Sequence, residues 1–230
     1  MLRMPKILPL LTLAASVILA TNCGTDHAKV RFVHASPDAM NLDIAVDGKT
    51  VVTDLAFGSL SPASGYLTVT AGNRRVEFRS TGTTTDLINS TVGFGSQKEY
   101  TLLAVGKVGD DSVAALLKTD DNSAPPSGNI KLRVIHAAPD GPAHVDVFVV
   151  APGTDIMNAT PTIAALAYQQ ASDYQNLAAA TYQVIMTDSN DRTSTVFDQT
   201  YTLAGGQIRT LVTLDAGGGL MSALELSDLN

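Results

Sequence analysis

Two short stretches pair a histidine with an aspartate four residues on: KVRFVHASPD at 29–38 and KLRVIHAAPD at 131–140, identical at six of ten positions. Imidazole with carboxylate can hold a metal ion or move a proton, so these pairs are the first candidates for chemistry. The second copy is richer. His136, Asp140, His144 and Asp146 fall within eleven residues and offer a ligand set for zinc or a similar ion. Two features oppose that reading. The first copy has Asn41 where His144 would align, and a strand sends alternate side chains to opposite faces. The alternative is structural. His34 shares a strand face with Val30 and Phe32, and His136 shares one with Leu132 and Val134, which places each imidazole at the core-facing edge of its strand. The Pro-Asp that follows is turn material, with φ fixed by proline and a carboxylate able to accept backbone N–H groups. On this reading His34, Asp38 and Asp43, and likewise His136, Asp140 and Asp146, form a strand-to-turn corner.

Other signatures of catalysis are missing. The chain has no G-x-S-x-G elbow, no H-E-x-x-H, no P-loop and no dinucleotide fingerprint. Asp188, Asn190 and Asp191 in TDSNDRTS lack the glycine and distal glutamate of a calcium loop, and a solvated hairpin tip is expected there. The single cysteine, Cys23, stands at the end of the N-terminal apolar run, where no buried thiol nucleophile is expected. The expectation is a non-enzyme without a cofactor, the alternative being a metal-binding or metal-dependent hydrolytic protein that uses the His/Asp corners.

The elements that carry the decamers are strands. NLDIAVDG places Leu42, Ile44 and Val46 on one side, and HVDVFVV does the same with Val145, Val147 and Val149. Asp47-Gly48 fits a tight hairpin, since both residues tolerate positive φ. The repeat extends beyond the decamers. LAFGSLSPASGYLTVTAG parallels LAYQQASDYQNLAAAT, pairing Phe57 with Tyr168 and Tyr66 with Tyr174. Between the copies, KTDDNSAPPSGN carries Pro125, Pro126 and Gly128 and reads as a linker. The pattern predicts an all-β chain: a first sandwich over 27–118, a linker over 119–129 and a second sandwich over 130–228. Each would be an antiparallel β-sandwich of immunoglobulin-like or transthyretin-like kind, with roughly seven strands. TPTIAALAYQQAS is the one segment that could instead form a short helix. With motif, hairpin and closing strands complete on either side of the linker, each half is expected to fold alone.

Composition bounds the partners. Of 230 residues, 22 are acidic and 15 basic, for a formal charge of −7, and no Lys/Arg cluster interrupts the acidity. Nucleic acid is therefore excluded as a partner, because phosphate binding needs clustered cations. The first residues differ from the rest: Arg3 and Lys6 precede the apolar run ILPLLTLAASVILA, which is too short to span a bilayer. Residues 1–22 are thus expected to be a helical secretory signal, of lipoprotein type, with Cys23 as the lipid-modified residue. A plain secreted protein with an incidental thiol is the alternative, since Ala20 and Asn22 depart from the usual lipoprotein signal. Loss of Arg3 and Lys6 would take the charge from −7 to −9.

VRFVHASPDAMNLDIAVDG, then LAFGSLSPASGYLTVTAG and RRVEFRS, resembles the domain-of-unknown-function 4397 family of bacterial envelope proteins and lipoproteins, whose domains often occur in tandem. The resemblance spans 29–118 and, more loosely, 130–227. It implies a β-sandwich, export and lipid anchoring, and it brings no established activity. Met40 stands where many members have proline, and the second copy inserts Gly141 and Pro142. The expected protein is a non-catalytic cell-envelope module for surface binding, adhesion or scaffolding. It would be held to the membrane through Cys23, with an envelope protein or polysaccharide as partner. With Gly24 and not Asp after the cysteine, the expected address is the outer membrane, facing the periplasm or the surface.

Overall fold

The computed structural model describes residues 26–229, so the signal segment 1–22 and Cys23 lie outside the described residues. Within them the chain is all-β. The first repeat supplies β1 (His27–His34), β2 (Leu42–Val46), β3 (Lys49–Leu55), β4 (Leu60–Ser61), β5 (Leu67–Thr70), β6 (Gly72–Ser80), β7 (Asp86–Phe94), β8 (Glu99–Val105) and β9 (Ala114–Asp120). The second supplies β10 (Asn129–His136), β11 (His144–Val150), β12 (Ile163–Ala167), β13 (Gln175–Ala178), β14 (Ala180–Asp188), β15 (Asp191–Leu203), β16 (Ile208–Gly217) and β17 (Leu220–Leu229). The strands number nine and eight, against the seven expected of each, partly because SPASG interrupts one edge of the first repeat and leaves β4 and β5 as separate pieces beside β1. The segment read as a possible short helix is instead the edge strand β12.

Each repeat is a two-sheet sandwich. In the first, β4-β1-β8-β9, with β5 also on β1, faces β3-β2-β6-β7; in the second, β13-β10-β16-β17 faces β12-β11-β14-β15. Alternation fills the cores as the pattern requires: Leu42, Ile44 and Val46 meet Val30, Phe32 and Leu102 in one, and Val145, Val147 and Val149 meet Leu132, Val134 and Leu211 in the other. At the β2–β3 turn Asp47 and Gly48 have φ of 51° and 79°, and Val46 pairs directly with Lys49. One ladder in each sandwich is parallel, β1 with β8 and β10 with β16. The first strand of each repeat therefore lies in mid-sheet beside its penultimate strand.

These central strands are buried on both faces. On β1, Val30 and Phe32 enter the sandwich core while Arg31 and Val33 point the other way, yet all four are buried. The outward faces meet in a third core, where Val33, Ala35, Leu103 and Val105 pack with Ile135, Ala137, Val212, Leu214 and Leu226. The near-continuous apolar runs of β8, YTLLAV, and β16, IRTLVTL, are thus explained, since a strand covered on both sides has no solvent face to mark with polar residues. The two sandwiches therefore share one buried apolar face. Separation would expose this apolar face on both partners.

The segment joining the sandwiches is tied down. Lys131 Nζ donates to Asp121 Oδ2 at 2.7 Å, to Ser123 O at 2.9 Å and to Ser123 Oγ at 3.0 Å. The Lys131 ammonium beside it holds the Asp121 carboxyl down at about 2.

Candidate functional site

The repeated corners sit where β1 and β10 end. His34 is fully buried; Ser36 N donates to its Nδ1 at 3.3 Å, which leaves the proton on Nε2, 3.1 Å from Met40 O. His136 is also fully buried, its Nε2 2.8 Å from Pro142 O and its Nδ1 3.1 Å from Thr213 Oγ1, which accepts from Ala137 N at 3.0 Å. An aromatic edge closes each imidazole in, Phe57 at 6.0 Å and Tyr168 at 5.8 Å between ring centroids. Burial pushes both imidazoles below their ordinary value, so each is the neutral form at pH 7. Both ring nitrogens of each histidine are engaged within the corner.

Asp43 and Asp146 support the next turn of chain. Asp43 Oδ1 accepts from Asp54 N at 2.9 Å and Thr81 Oγ1 at 3.0 Å, and Asp146 Oδ1 accepts from Ala165 N at 2.8 Å. The residues they hold, Asp54 and Ala165, have φ of 56° and 47°, an unfavourable conformation for side-chain-bearing residues that each carboxylate helps to fix. Both lie opposite register shifts in the β2–β3 and β11–β12 ladders.

Asp38 and Asp140 were expected to do the same work, and the structure corrects this. Asp38 accepts from Val108 N at 2.7 Å and Gly109 N at 2.8 Å, pinning its corner to the β8–β9 loop of its own sandwich. The Gly109 and Val108 amides pull its carboxyl below the ordinary value. That loop needs Gly106, whose φ is 89° and where a Cβ would meet Ser112 O at 2.2 Å. Asp140 instead reaches across to Lys107 of the first sandwich, Nζ to Oδ1 2.9 Å, while its own N–H donates to Asp215 Oδ1 at 3.0 Å. The proposed ligands His136, Asp140 and His144 are not brought together: His136 is spent on Thr213 and Pro142, Asp140 on Lys107, and His144 opens β11 exposed. Among the described residues no three His, Cys, Asp or Glu are grouped as metal ligands.

The densest charged constellation lies elsewhere, between the sandwiches, and the sequence reading missed it. Arg31 of the first repeat pairs with Asp228 of the second, and Arg133 of the second pairs with Asp120 of the first at 2.6 Å. All four are buried. The pairs are related by a pseudo-twofold. Arg31 Nε donates to Thr101 Oγ1 at 2.8 Å and Arg133 Nε to Thr210 Oγ1 at 3.1 Å. Tyr66 donates to Asp120 at 2.8 Å and Tyr174 to Asp228 at 3.0 Å. Each guanidinium lies over a tyrosine ring, Arg31 over Tyr66 at 5.1 Å and Arg133 over Tyr174 at 4.6 Å. Buried ions are tolerated only when paired and fully hydrogen-bonded, as these are. A signal was present in the sequence. An arginine recurs at the same place in both decamers, on the strand face opposite Val30 and Phe32, where a lone sandwich would meet solvent.

Among solved structures, the chain is similar to a family 26 carbohydrate-binding module of Eubacterium rectale Amy13K, solved in complex with maltoheptaose. Identity is 8%, the TM-score is 0.28, and the match covers 89% of this chain and 98% of that one. At that score nothing about binding is drawn from it. No curated protein matches the chain. The model of the family described as domain of unknown function, DUF4397, matches residues 28–148 and again 143–230. These two adjacent matches, the first of which contains both decamers, show that the chain belongs to the DUF4397 family as a tandem member.

Proposed function

We propose that the protein is a non-catalytic module of the cell envelope, exported, held to the outer membrane by lipid on Cys23, and serving surface binding, adhesion or scaffolding. One observation carries the non-catalytic reading. The imidazoles and carboxylates of the repeated motif are consumed by internal bonds, from His34 and His136 to the Asp38 and Asp140 contacts. Two sandwiches fused through a buried face make a stiff body for display at the end of a tether, which suits a scaffold better than a hinged enzyme.

Fractionation of cells expressing the full chain tests the proposal. The wild type is expected in the membrane fraction and Cys23→Ser in the soluble fraction. A wild type already soluble, or a Cys23→Ser variant still in the membrane, contradicts the lipid-anchored reading. The corner's structural role has its own check, because chelator should leave the melting midpoint of the wild type unchanged.

A further inference from the structure

An open cleft of about 400 Å³ lies beside the buried charge network, lined by Lys118, Thr119, Lys131, Arg133, Asp173 and Asn176 among others. Two of its cations are already committed, Lys131 to Asp121 at 2.7 Å and Arg133 to Asp120 at 2.6 Å. Lys118 is not. It alternates along β9 with Leu116 and Asp120, so it faces the seam and is half-buried, yet among the described residues no carboxylate stands within 4.0 Å of its ammonium. Burial and then the neighbouring Arg133 push its pKa down, the mark of a cation short of counter-charge. Pseudo-symmetry shows that the network itself does not require this lysine: the position corresponding to Lys118 is Leu226, two residues before Asp228 as Lys118 is two before Asp120, and Leu226 is fully buried in the shared core.

Part of the remaining wall is polar and uncommitted. Among the described residues the side chains of Asp173 and Asn176 have no hydrogen-bond partner, so a carboxylate and an amide border the cleft beside the lysine. A bare phosphate dianion would be repelled by Asp173 and Asp121, whereas the hydroxyls of a sugar can donate to the same oxygens. The Tyr174 ring is covered by Arg133 at 4.6 Å and Lys131 at 5.2 Å, so recognition here rests on polar contacts and not on stacking.

We propose that this cleft binds an acidic sugar of an anionic polysaccharide, its carboxylate on Lys118 and its hydroxyls on Asp173 and Asn176. The proposal rests on the reading of the protein as an envelope binding module and names its ligand class. A ligand carboxylate would replace hydration that Lys118 loses by its partial burial, as a charge-assisted hydrogen bond does.

The test is an amide-shift titration of the folded chain from Asp26 onward with trigalacturonate, with its methyl ester and with inorganic phosphate. Trigalacturonate is expected to move the amide signals of Lys118, Thr119, Asp173 and Asn176. The ester and the Lys118→Gln variant are each expected to bind at least about tenfold more weakly. Equal binding of the ester, equal binding of phosphate, an unaffected Lys118→Gln variant or unmoved signals would each overturn the proposal. The ester comparison uses only wild-type protein, so it decides the matter even if Lys118→Gln fails to fold. Loss of sugar binding with Cys23-dependent membrane retention intact removes the sugar site alone. Sugar binding with retention absent removes the lipid-anchored reading instead.

Discussion

Asp38 and Asp140 hold the same place in the repeated decamer and point in different directions, one into its own sandwich and the other across to Lys107 of its neighbour. Arg31 and Arg133 hold the same place too, and there the symmetry is kept: each crosses the seam to the last-strand aspartate of the other repeat. The difference lies in burial. The arginines are sealed in a desolvated face where any unpaired charge is costly, so both copies must satisfy the same demand. The aspartates stand at an exposed rim, where hydrated alternatives cost little and the copies are free to diverge.

If that comparison is right, breaking one buried pair should do the most harm. Arg31→Met leaves Asp228 buried without its cation and is expected to destabilise the protein by about 3–5 kcal/mol. Combining it with Asp228→Leu should recover much of the loss, because two apolar groups leave no orphan charge. Denaturant melts of the single and double variants check both. A double variant no better than the sum of its singles would mean that the charges do not act as a pair.

The corner histidines come next. His34→Ala and His136→Ala each remove a buried imidazole and leave the carbonyl of Met40 or Pro142 without its donor, and are expected to cost about 1–3 kcal/mol. Their pH signature is separable. Burial holds both imidazoles below the ordinary 6.5, so the unfolded chain takes up protons first. Stability should be whole above about pH 6.5 and decline as pH falls below it. Removing either histidine should flatten that slope in stability measured against pH.

Smaller effects are expected at the rim. Asp121, at about 2 beside Lys131, contributes stability that is present above its unfolded value and lost as pH falls towards 2. It is largely exposed, so screening keeps the contribution small. Lys131→Met should remove this acid-side component in the same pH series. Smallest of all is Asp140→Ala, whose ion pair with Lys107 is exposed; its effect on the midpoint should be slight and vanish in high salt, whereas Asp38→Ala should keep most of its larger effect.

The sequence read well where one strand face met one core. Period-2 alternation in NLDIAVDG and HVDVFVV located the core-facing side chains, and Asp47-Gly48 located a hairpin. It read poorly where a second face was buried. Alternation shows that Arg31 points away from Phe32 but not what lies beyond, and its partner Asp228 is 197 positions along the chain. The Lys107–Asp140 bridge was equally hidden, because the decamers share the same His, Pro and Asp and the difference arises in the loops that meet them. Phe57 and Tyr168, aligned from the repeat, do occupy equivalent places against the two histidines.

The account stands on the two sandwiches being one cooperative body joined by the buried face and its reciprocal Arg–Asp pairs. Scanning calorimetry of the chain from Asp26 onward measures this directly. The predicted result is a single transition whose calorimetric and van't Hoff enthalpies agree, shifted down as a whole by Arg31→Met. Two separate transitions, with Arg31→Met moving only the first sandwich, would contradict it.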